Sequence, residues 1–253
     1  MTGVRIVSAL VLDTLAYRDR DLIAKLFSRD GGTFSAMAYG ARGSKTRFPT
    51  GIDRLTLGEA TLSLPTNRMV VCKQFDVQDV YWKIKESLEH TAVATVLSEL
   101  LMKSHVEEQD AGFLFDFSTS VLTALDSGLV QGNPGTALFV VVRFLQLLGF
   151  LPQKLSCPLC NEQTEQQPTC LLSDSGALFC RKHVRRDQRY TVLPENDANL
   201  LDSVLAVPEL TALAELQVPS EKALSLLRNL TPLLRHLLGG ELKSMTFLLE
   251  IFE

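Results

Sequence analysis

The chain has 253 residues, with 46% hydrophobic and 21% charged side chains and a formal net charge of −4. This composition is typical of a soluble globular protein with room for one large domain or two to three smaller ones, and it excludes a disordered chain. No apolar run is long enough to span a bilayer and the first residues do not resemble a signal peptide, so we expect a cytoplasmic protein.

The charges are divided unevenly along the chain. Residues 1–85 hold 13 Lys/Arg and 8 Asp/Glu, whereas residues 86–253 hold 12 and 21. A basic first part on an acidic chain suggests that a polyanion partner would dock near the N-terminus. A solvated basic surface on a small β domain explains the same charges, and charge alone does not separate the two interpretations.

Residues 1–80 have the pattern of a β domain. Runs rich in β-branched and aromatic residues alternate with turn residues, and Leu22, Ala24 and Leu26 share one face of the second run. Five short strands in about 80 residues predict a small Greek-key barrel such as an OB-fold, and an SH3-like barrel fits nearly as well. The predicted strands are Ile6–Leu15, Asp21–Ser28, Thr33–Tyr39, Leu55–Leu64 and Met69–Val77, with turns at 29–32 and 65–68.

The segment 39–49, between the third and fourth predicted strands, is basic. It holds Arg42, Lys45 and Arg47 with two glycines, a serine and a threonine, and it holds no acid. Cations and hydroxyls on a pliable backbone suit phosphate groups, while Tyr39 and Phe48 have rings that can stack on bases. We interpret this segment as a nucleic-acid contact; an exposed, solvated loop is the alternative. The supporting cations on the barrel would be Arg18, Lys25 and Arg54.

From residue 81 onward the apolar residues recur with helical periodicity. Asn133-Pro134 has the form of a helix cap followed by proline at the first helical position, and Gly149 is a stop signal. The pattern predicts an α+β protein with domains at 1–80 and 81–253, the second containing a zinc-ribbon-like insertion at 150–190. The predicted helices are 81–105, 113–125, 134–148, 196–206, 208–217, 220–230, 232–238 (with Thr231-Pro232 as a cap) and 241–252.

Four potential metal ligands form two matched pairs. Cys157 and Cys160 are separated by two residues, as are Cys180 and His183, and 19 residues lie between the pairs. Three thiolates and one imidazole complete a tetrahedral set without an open position, which is typical of a structural zinc site. The stretch 169–180 predicts a hairpin with a Ser-Asp-Ser-Gly turn. Cys170 remains open as the fourth ligand in place of His183, and unconnected buried cysteines are the alternative to a site.

Nucleotide-binding and hydrolase motifs are absent from the sequence, so it predicts no catalytic residues. A zinc-dependent deaminase is a remote alternative, because His105 and Glu107 form an H-x-E sequence. That signature requires proline before the first cysteine, where this chain has Ser156. A second basic patch surrounds the second ligand pair, and its cations would extend a nucleic-acid surface or pair with the acidic helices. It consists of Arg181, Lys182, Arg185, Arg186 and Arg189.

Four segments in the same order resemble the RecO family of bacterial recombination mediators. They are 15–28 with Gly31 and Gly32, the basic segment 38–48, Arg143–Phe150 leading into the first cysteine pair, and 237–248. The resemblance covers nearly the whole chain. This chain departs from the pattern at one point, since family members with a full metal site usually have a fourth cysteine where His183 stands.

The resemblance implies an N-terminal OB-fold and a helical domain with a structural Zn²⁺ site. It also implies a non-enzymatic role in which the protein binds single- and double-stranded DNA, anneals complementary strands and helps RecA load onto DNA coated by the single-stranded-DNA-binding protein SSB. The implied partners are RecR and the acidic C-terminal tail of SSB, in the bacterial cytoplasm at the nucleoid. A protein-interaction adaptor that does not touch nucleic acid is the competing interpretation.

Overall fold

The computed structural model describes residues 3–49, 51–64, 69–104, 106, 108–160, 169–212 and 216–252. The fold is of mixed α+β class, as predicted, with five N-terminal strands and, in the described residues, seven α-helices and a small second sheet. The chain divides into two compact units. Unit 1 comprises Met1–Glu86 and Leu101–Asp126, and unit 2 comprises Ser87–Leu100 and Ser127–Glu253. The domain boundary at residue 80 stays a prediction.

The five N-terminal strands form a closed barrel in the order β1-β2-β3-β5-β4. All neighbouring strands are antiparallel except β3 and β5, which run parallel and pair at Ala36–Val70 and Met37–Val71. β1 is long enough to pair with two strands, with β4 through its first part and with β2 through its second, and a register shift lies between Val11 and Asp13. The strands are β1 (Gly3–Tyr17), β2 (Asp21–Ser28), β3 (Gly32–Ala38), β4 (Thr56–Leu64) and β5 (Val70–Asp79).

Alternating residues of each strand fill the barrel interior. Many are small, such as Ala24, Ala36 and Ala60, and a few large side chains such as Leu26 and Phe75 occupy the remaining space. A narrow barrel has room for only this mixture. Part of the outer surface of the barrel is also buried. There the ring of Phe27 lies 6.0 Å from the ring of Phe115, which belongs to a helix of the same unit. The predicted strand positions are correct to within a few residues.

The first predicted helix is in fact two helices, α1 (Trp82–Glu86) and α2 (Leu88–Lys103). Ser87 separates them, since its Oγ accepts a hydrogen bond from the backbone N–H of His90 and caps α2. α3 (Glu108–Ser127) begins five residues earlier than predicted, with Glu108 and Asp110 in its first turn, where acidic residues are favoured. His105 and Glu107 lie outside the described residues.

Unit 2 is built mainly from helices. α4 (Pro134–Leu147) begins as predicted, with the Asn133 side chain accepting a hydrogen bond from the Thr136 N–H at 2.9 Å. α5 (Glu195–Ala206) agrees with the sequence pattern, and a 3₁₀ turn at Leu210–Ala212 stands where a longer helix was predicted. Residues 213–215 lie outside the described part of the chain, and the last described element is α7 (Lys243–Phe252).

The prediction of a helix break at Pro232 is wrong. One helix, α6 (Ser220–Leu237), passes through this residue. Leu230, Leu233 and Leu234 are almost completely buried on one side of it, so packing holds both halves in line although proline has no N–H to donate. Among the described residues, none of the helices combines the length and the hydrophobicity that a membrane span requires.

The segment after α4 contains the predicted hairpin and one more strand. β6 (Thr169–Leu172) pairs with β7 (Leu178–Cys180) on one side and with β8 (Tyr190–Leu193) on the other, all antiparallel. Gly176 in the turn has a φ of +70°, and a Cβ there would stand 2.1 Å from the Phe150 carbonyl oxygen. Only glycine fits this turn. The turn predicted at 65–68 lies outside the described residues.

Candidate metal centre and nucleic-acid interface

The backbone of the basic loop, defined as residues 39–49, is fixed at both ends. The N–H of Gly40 donates to the Asp21 carboxylate at 2.8 Å, and the N–H of Arg42 donates to the Arg20 carbonyl at 3.1 Å. Near the other end, the Arg47 carbonyl accepts a hydrogen bond from the N–H of Phe75 in β5 at 3.1 Å. Although its composition suggested a pliable segment, the loop is held against the barrel by these contacts.

The cations of the basic loop point to solvent. Arg42, Lys45 and Arg47 are all exposed. Arg47 is oriented by a hydrogen bond from Nη2 to the Tyr39 carbonyl at 3.0 Å, and Arg42 by a hydrogen bond from Nη1 to the Asp19 carbonyl at 3.4 Å. These partners are neutral carbonyls, so the positive charges remain available to an anion.

The two aromatic residues of the basic loop have different environments. The Tyr39 side chain is 49% exposed and can present a ring face. Phe48 is 2% exposed and belongs to the barrel core, so its prediction as a base-stacking residue is wrong. An apolar ring is more stable in the core than in water, which accounts for this burial.

The supporting cations differ in their availability. Arg18 is exposed at the β1–β2 turn, with its guanidinium 5.3 Å from the Tyr17 ring centre. Arg54 forms an ion pair with Asp13 at 2.5 Å, and Lys25 is half-buried opposite the same aspartate in the strand register. The acid therefore offsets part of the charge at these two positions.

Sequence reasoning missed Arg20. It is exposed, and its carbonyl binds the Arg42 N–H, so the β1–β2 turn and the basic loop form one surface. The signal was present in the Arg18-Asp19-Arg20 turn. The contact between Arg20 and the basic loop forms only when the barrel folds, because Arg20 and Arg42 are about twenty positions apart in the sequence.

The four predicted metal ligands converge. Their ligand atoms all lie within 4.8 Å of one another. The Sγ atoms of Cys160 and Cys180 are 3.9 Å apart, and Nδ1 of His183 lies 3.5 Å from the Cys157 Sγ and 3.1 Å from the Cys180 Sγ. A disulfide has a sulfur–sulfur distance of about 2.05 Å, so no disulfide joins Cys160 to Cys180.

This geometry fits a tetrahedral metal ion. A Zn–S bond of about 2.3 Å places two sulfurs of a tetrahedron about 3.8 Å apart. Burial acts to raise the pKa of the Cys157 thiol, but hydrogen bonds from the backbone at Cys180, Leu159 and Cys160 and from His183 outweigh it and lower the pKa to about 6. A thiolate held by backbone donors is the form that binds a metal. The cluster can therefore hold a metal ion.

Cys170 is not part of this cluster. Thr169 pairs with Cys180 across the hairpin, so the next residue, Cys170, points to the opposite face of the sheet. Burial raises the pKa of the Cys170 thiol, an effect that the nearby Arg181 opposes. Cys72, in β5, is likewise buried, and burial raises its pKa to about 12. His183 therefore holds the fourth place in the cluster.

The second basic patch surrounds His183, the last ligand of the cluster in the sequence. Arg181, Lys182, Arg185, Arg186 and Arg189 are all exposed, and only Arg185 forms an ion pair among the described residues, with Asp187 at 3.2 Å. Pairing of these cations with the acidic helices, which the sequence left open, is therefore not seen in the described part of the chain.

The structure has an exposed basic loop on a small β barrel, and it has a four-ligand cluster beside further cations. These features are typical of one class, the nucleic-acid-associated proteins. Comparisons with known proteins agree. Residues 4–81 match the family model "Recombination protein O N terminal", and residues 85–246 match "Recombination protein O C terminal". The chain belongs to the RecO family of DNA repair proteins.

Relatives named DNA repair protein RecO match over most of their length. The protein from Syntrophus aciditrophicus (strain SB) is 27% identical over 244 residues, covering 95% of this chain and 93% of that protein. The protein from Exiguobacterium sibiricum is 30% identical over 194 residues, covering 76% and 75%. One from Listeria monocytogenes (strain HCC23) is 26% identical, covering 96% and 92%.

Proposed function

We propose that this protein is a DNA-binding recombination mediator. It anneals complementary strands and helps RecA load onto single-stranded DNA coated by SSB, with RecR and the SSB tail as partners at the nucleoid. Membership of the RecO family supports this role. The single observation that supports it most is the basic loop, whose fixed backbone presents Arg42, Lys45 and Arg47 to solvent.

We assign the barrel to the OB-fold. Its strand order and the parallel pairing of β3 with β5 support this assignment, since an OB-fold is a five-stranded Greek-key barrel. OB-folds bind single-stranded nucleic acid through cationic side chains that follow the backbone and aromatic side chains that stack on bases. The basic loop with Arg18 and Arg20 would bind phosphates, and Tyr39 would stack on a base.

We assign a structural Zn²⁺ to Cys157, Cys160, Cys180 and His183. All four ligands come from the protein, so the set leaves no position for water or substrate. Such an ion holds the β6–β8 sheet and its flanking turns together and supplies no catalysis. For the protein as a whole we propose a non-enzymatic role, which membership of the RecO family supports.

A salt titration of DNA binding tests the basic loop. We compare the wild type with the triple variant R42A/K45A/R47A, using single- and double-stranded oligonucleotides and fluorescence anisotropy. The salt slope of the variant is expected to fall by about one unit for each phosphate contact that the substitutions remove. The matched control is K154A/K222A/K243A, which removes three exposed cations of unit 2.

If the triple variant matches the control in affinity and slope, the basic loop is not the DNA contact. If the wild type binds a partner protein but no DNA at low salt, the protein is an adaptor and the proposed function is wrong.

A further inference from the structure

The stretch that runs from Arg181, directly after Cys180, to Tyr190, the first residue of β8, forms a compact series of turns. We call residues 181–190 the ribbon arm. At its start, the N–H groups of His183 and Val184 donate to the Cys180 carbonyl at 3.0 and 3.3 Å. At its end, the Arg189 carbonyl accepts a hydrogen bond from the Ser173 N–H at 2.9 Å, extending the β6–β8 ladder. The carbonyl of the ligand residue Cys180 thus fixes one end of the arm, and the sheet fixes the other.

The ribbon arm concentrates positive charge. It contains five cations and a single acid, Asp187, which pairs with Arg185. Within the described part of the chain no ion pair holds Lys182, Arg186 or Arg189, and all three are exposed. On a chain with a net charge of −4, such a cluster is a local site of attraction for a polyanion.

An exposed aromatic ring lies at the end of the ribbon arm. Tyr190 is 41% exposed and Val192 is 44% exposed, and they share one face of β8 because they alternate along it. β8 is an edge strand, with β6 as its neighbour. Tyr190 follows the exposed cations directly in the chain. Cations that contact phosphates and a ring that stacks on a base are together the combination that binds single-stranded nucleic acid.

We propose that the ribbon arm is a second binding surface for single-stranded nucleic acid, formed only when the metal site is filled. Lys182, Arg186 and Arg189 contact phosphates and Tyr190 stacks on a base. An acidic peptide would satisfy the cations but has no planar base for Tyr190. This proposal rests on the proposed function and deepens it. An annealing protein must engage two strands, and the arm would supply a contact in addition to the basic loop.

The metal dependence follows from the ligands. Cys180 and His183 flank Arg181 and Lys182 in sequence, and the Cys180 carbonyl anchors the first turn of the arm. Loss of the ion frees the ligand side chains and releases this turn. The cations would then be spread over a larger set of conformations, and the cost of ordering them on a strand would weaken binding.

The test uses the full-length protein and a short oligothymidylate as the probe. K182A/R186A/R189A is expected to bind at least tenfold more weakly at moderate salt, with a salt slope reduced by about one for each phosphate contact removed. Tyr190→Ala is expected to bind about five- to tenfold more weakly, whereas Tyr190→Phe keeps wild-type affinity. K154A/K222A/K243A is again the control, and thermal melting checks that each variant folds.

Removal of the metal supplies a second readout. The protein is treated with a strong chelator, and a measurement of bound zinc shows that the metal has left. We expect the affinity of the wild type to fall to about that of the arm variant, and the affinity of the arm variant itself to change little. Unchanged wild-type affinity after complete metal loss contradicts the metal dependence. An arm variant indistinguishable from the control contradicts the whole proposal.

The outcomes for the ribbon arm and for the basic loop are distinguishable. If only the basic-loop variant loses affinity, the loop assignment stands and the ribbon arm is excluded. If only the arm variant loses affinity, the arm stands and the loop is excluded. A polyglutamate peptide is the competing ligand: an arm variant that loses polyglutamate binding but keeps oligothymidylate binding would identify a protein-binding surface instead.

Discussion

Within unit 2, one buried carboxylate holds the start of a helix that lies far away in the sequence. Glu99 in α2 is 8% exposed, and its carboxylate accepts hydrogen bonds from the N–H of Ser244 at 2.7 Å and from its hydroxyl at 2.6 Å. This carboxylate accepts hydrogen bonds from two donors at the N-terminus of α7. The helix dipole also makes the N-terminus favourable for a negative charge. Nothing in the sequence connects two residues 145 positions apart.

Two glycines provide a matched pair for measuring steric limits. Both Gly176 and Gly149 have positive φ, but a Cβ at Gly149 would meet nothing within 4 Å, whereas one at Gly176 would collide with the Phe150 carbonyl. We expect Gly149→Ala to lower the free energy of unfolding by about 1–2 kcal/mol, from backbone strain alone. Gly176→Ala should cost clearly more. Urea denaturation of both variants checks this.

Equal losses of stability for the two variants would mean that the turn at Gly176 moves away from Phe150 at little cost. Each variant serves as the control for the other, because the two substitutions are chemically identical and differ only in their surroundings.

Phe48 illustrates why local patterns mislead at certain residues. In sequence it ends a basic, glycine-containing segment, and its ring looked available to a base. Its burial depends on Ala41 and Ile52 entering the same core, which no short-range pattern reveals. The neighbouring cations were expected to face an external partner or water, and they are exposed, because a charged side chain without a partner almost always remains in water.

At the scale of elements, prediction worked where the signal is local. The start of α4 follows from its asparagine cap, and the inward face of β2 from strict alternation. The strand β8 was missed because it has only four residues and its partner β6 lies about twenty positions away. The ligand pairs were recognised because metal geometry imposes a spacing on the sequence itself.

The continuous helix α6 leads to a prediction about Pro232. This residue is exposed and inside the helix, so replacing it removes little packing. Pro232→Ala restores a backbone donor and removes a steric conflict, and we expect the free energy of unfolding to rise by about 1–3 kcal/mol. Thermal and urea denaturation measure the change, with Ala substitution of the exposed Lys222 in the same helix as the control.

A fall in stability for Pro232→Ala would show that proline contributes more by restricting the unfolded chain than it costs in the helix.

At the scale of the whole molecule, the metal site and the barrel can be separated by experiment. Chelation is expected to lower the melting temperature, because binding of a structural metal adds directly to folding stability. Cys157→Ser should do the same without chelator and should lose bound metal. Cys72→Ser is the matched control, since this buried thiol lies in the barrel and takes no part in the cluster.

If chelation leaves the melting curve unchanged while zinc is shown to leave, the cluster does not stabilise the fold. A chelator effect equal in Cys157→Ser and the wild type would place the metal elsewhere.

The most direct test of the proposed function is annealing of two complementary oligonucleotides, followed by fluorescence energy transfer in the presence of SSB. We expect the wild type to accelerate annealing and R42A/K45A/R47A to do so much less, with K154A/K222A/K243A close to the wild type. Equal annealing by the wild type and the basic-loop variant, or none by the wild type under conditions where it binds DNA, would contradict the proposed role.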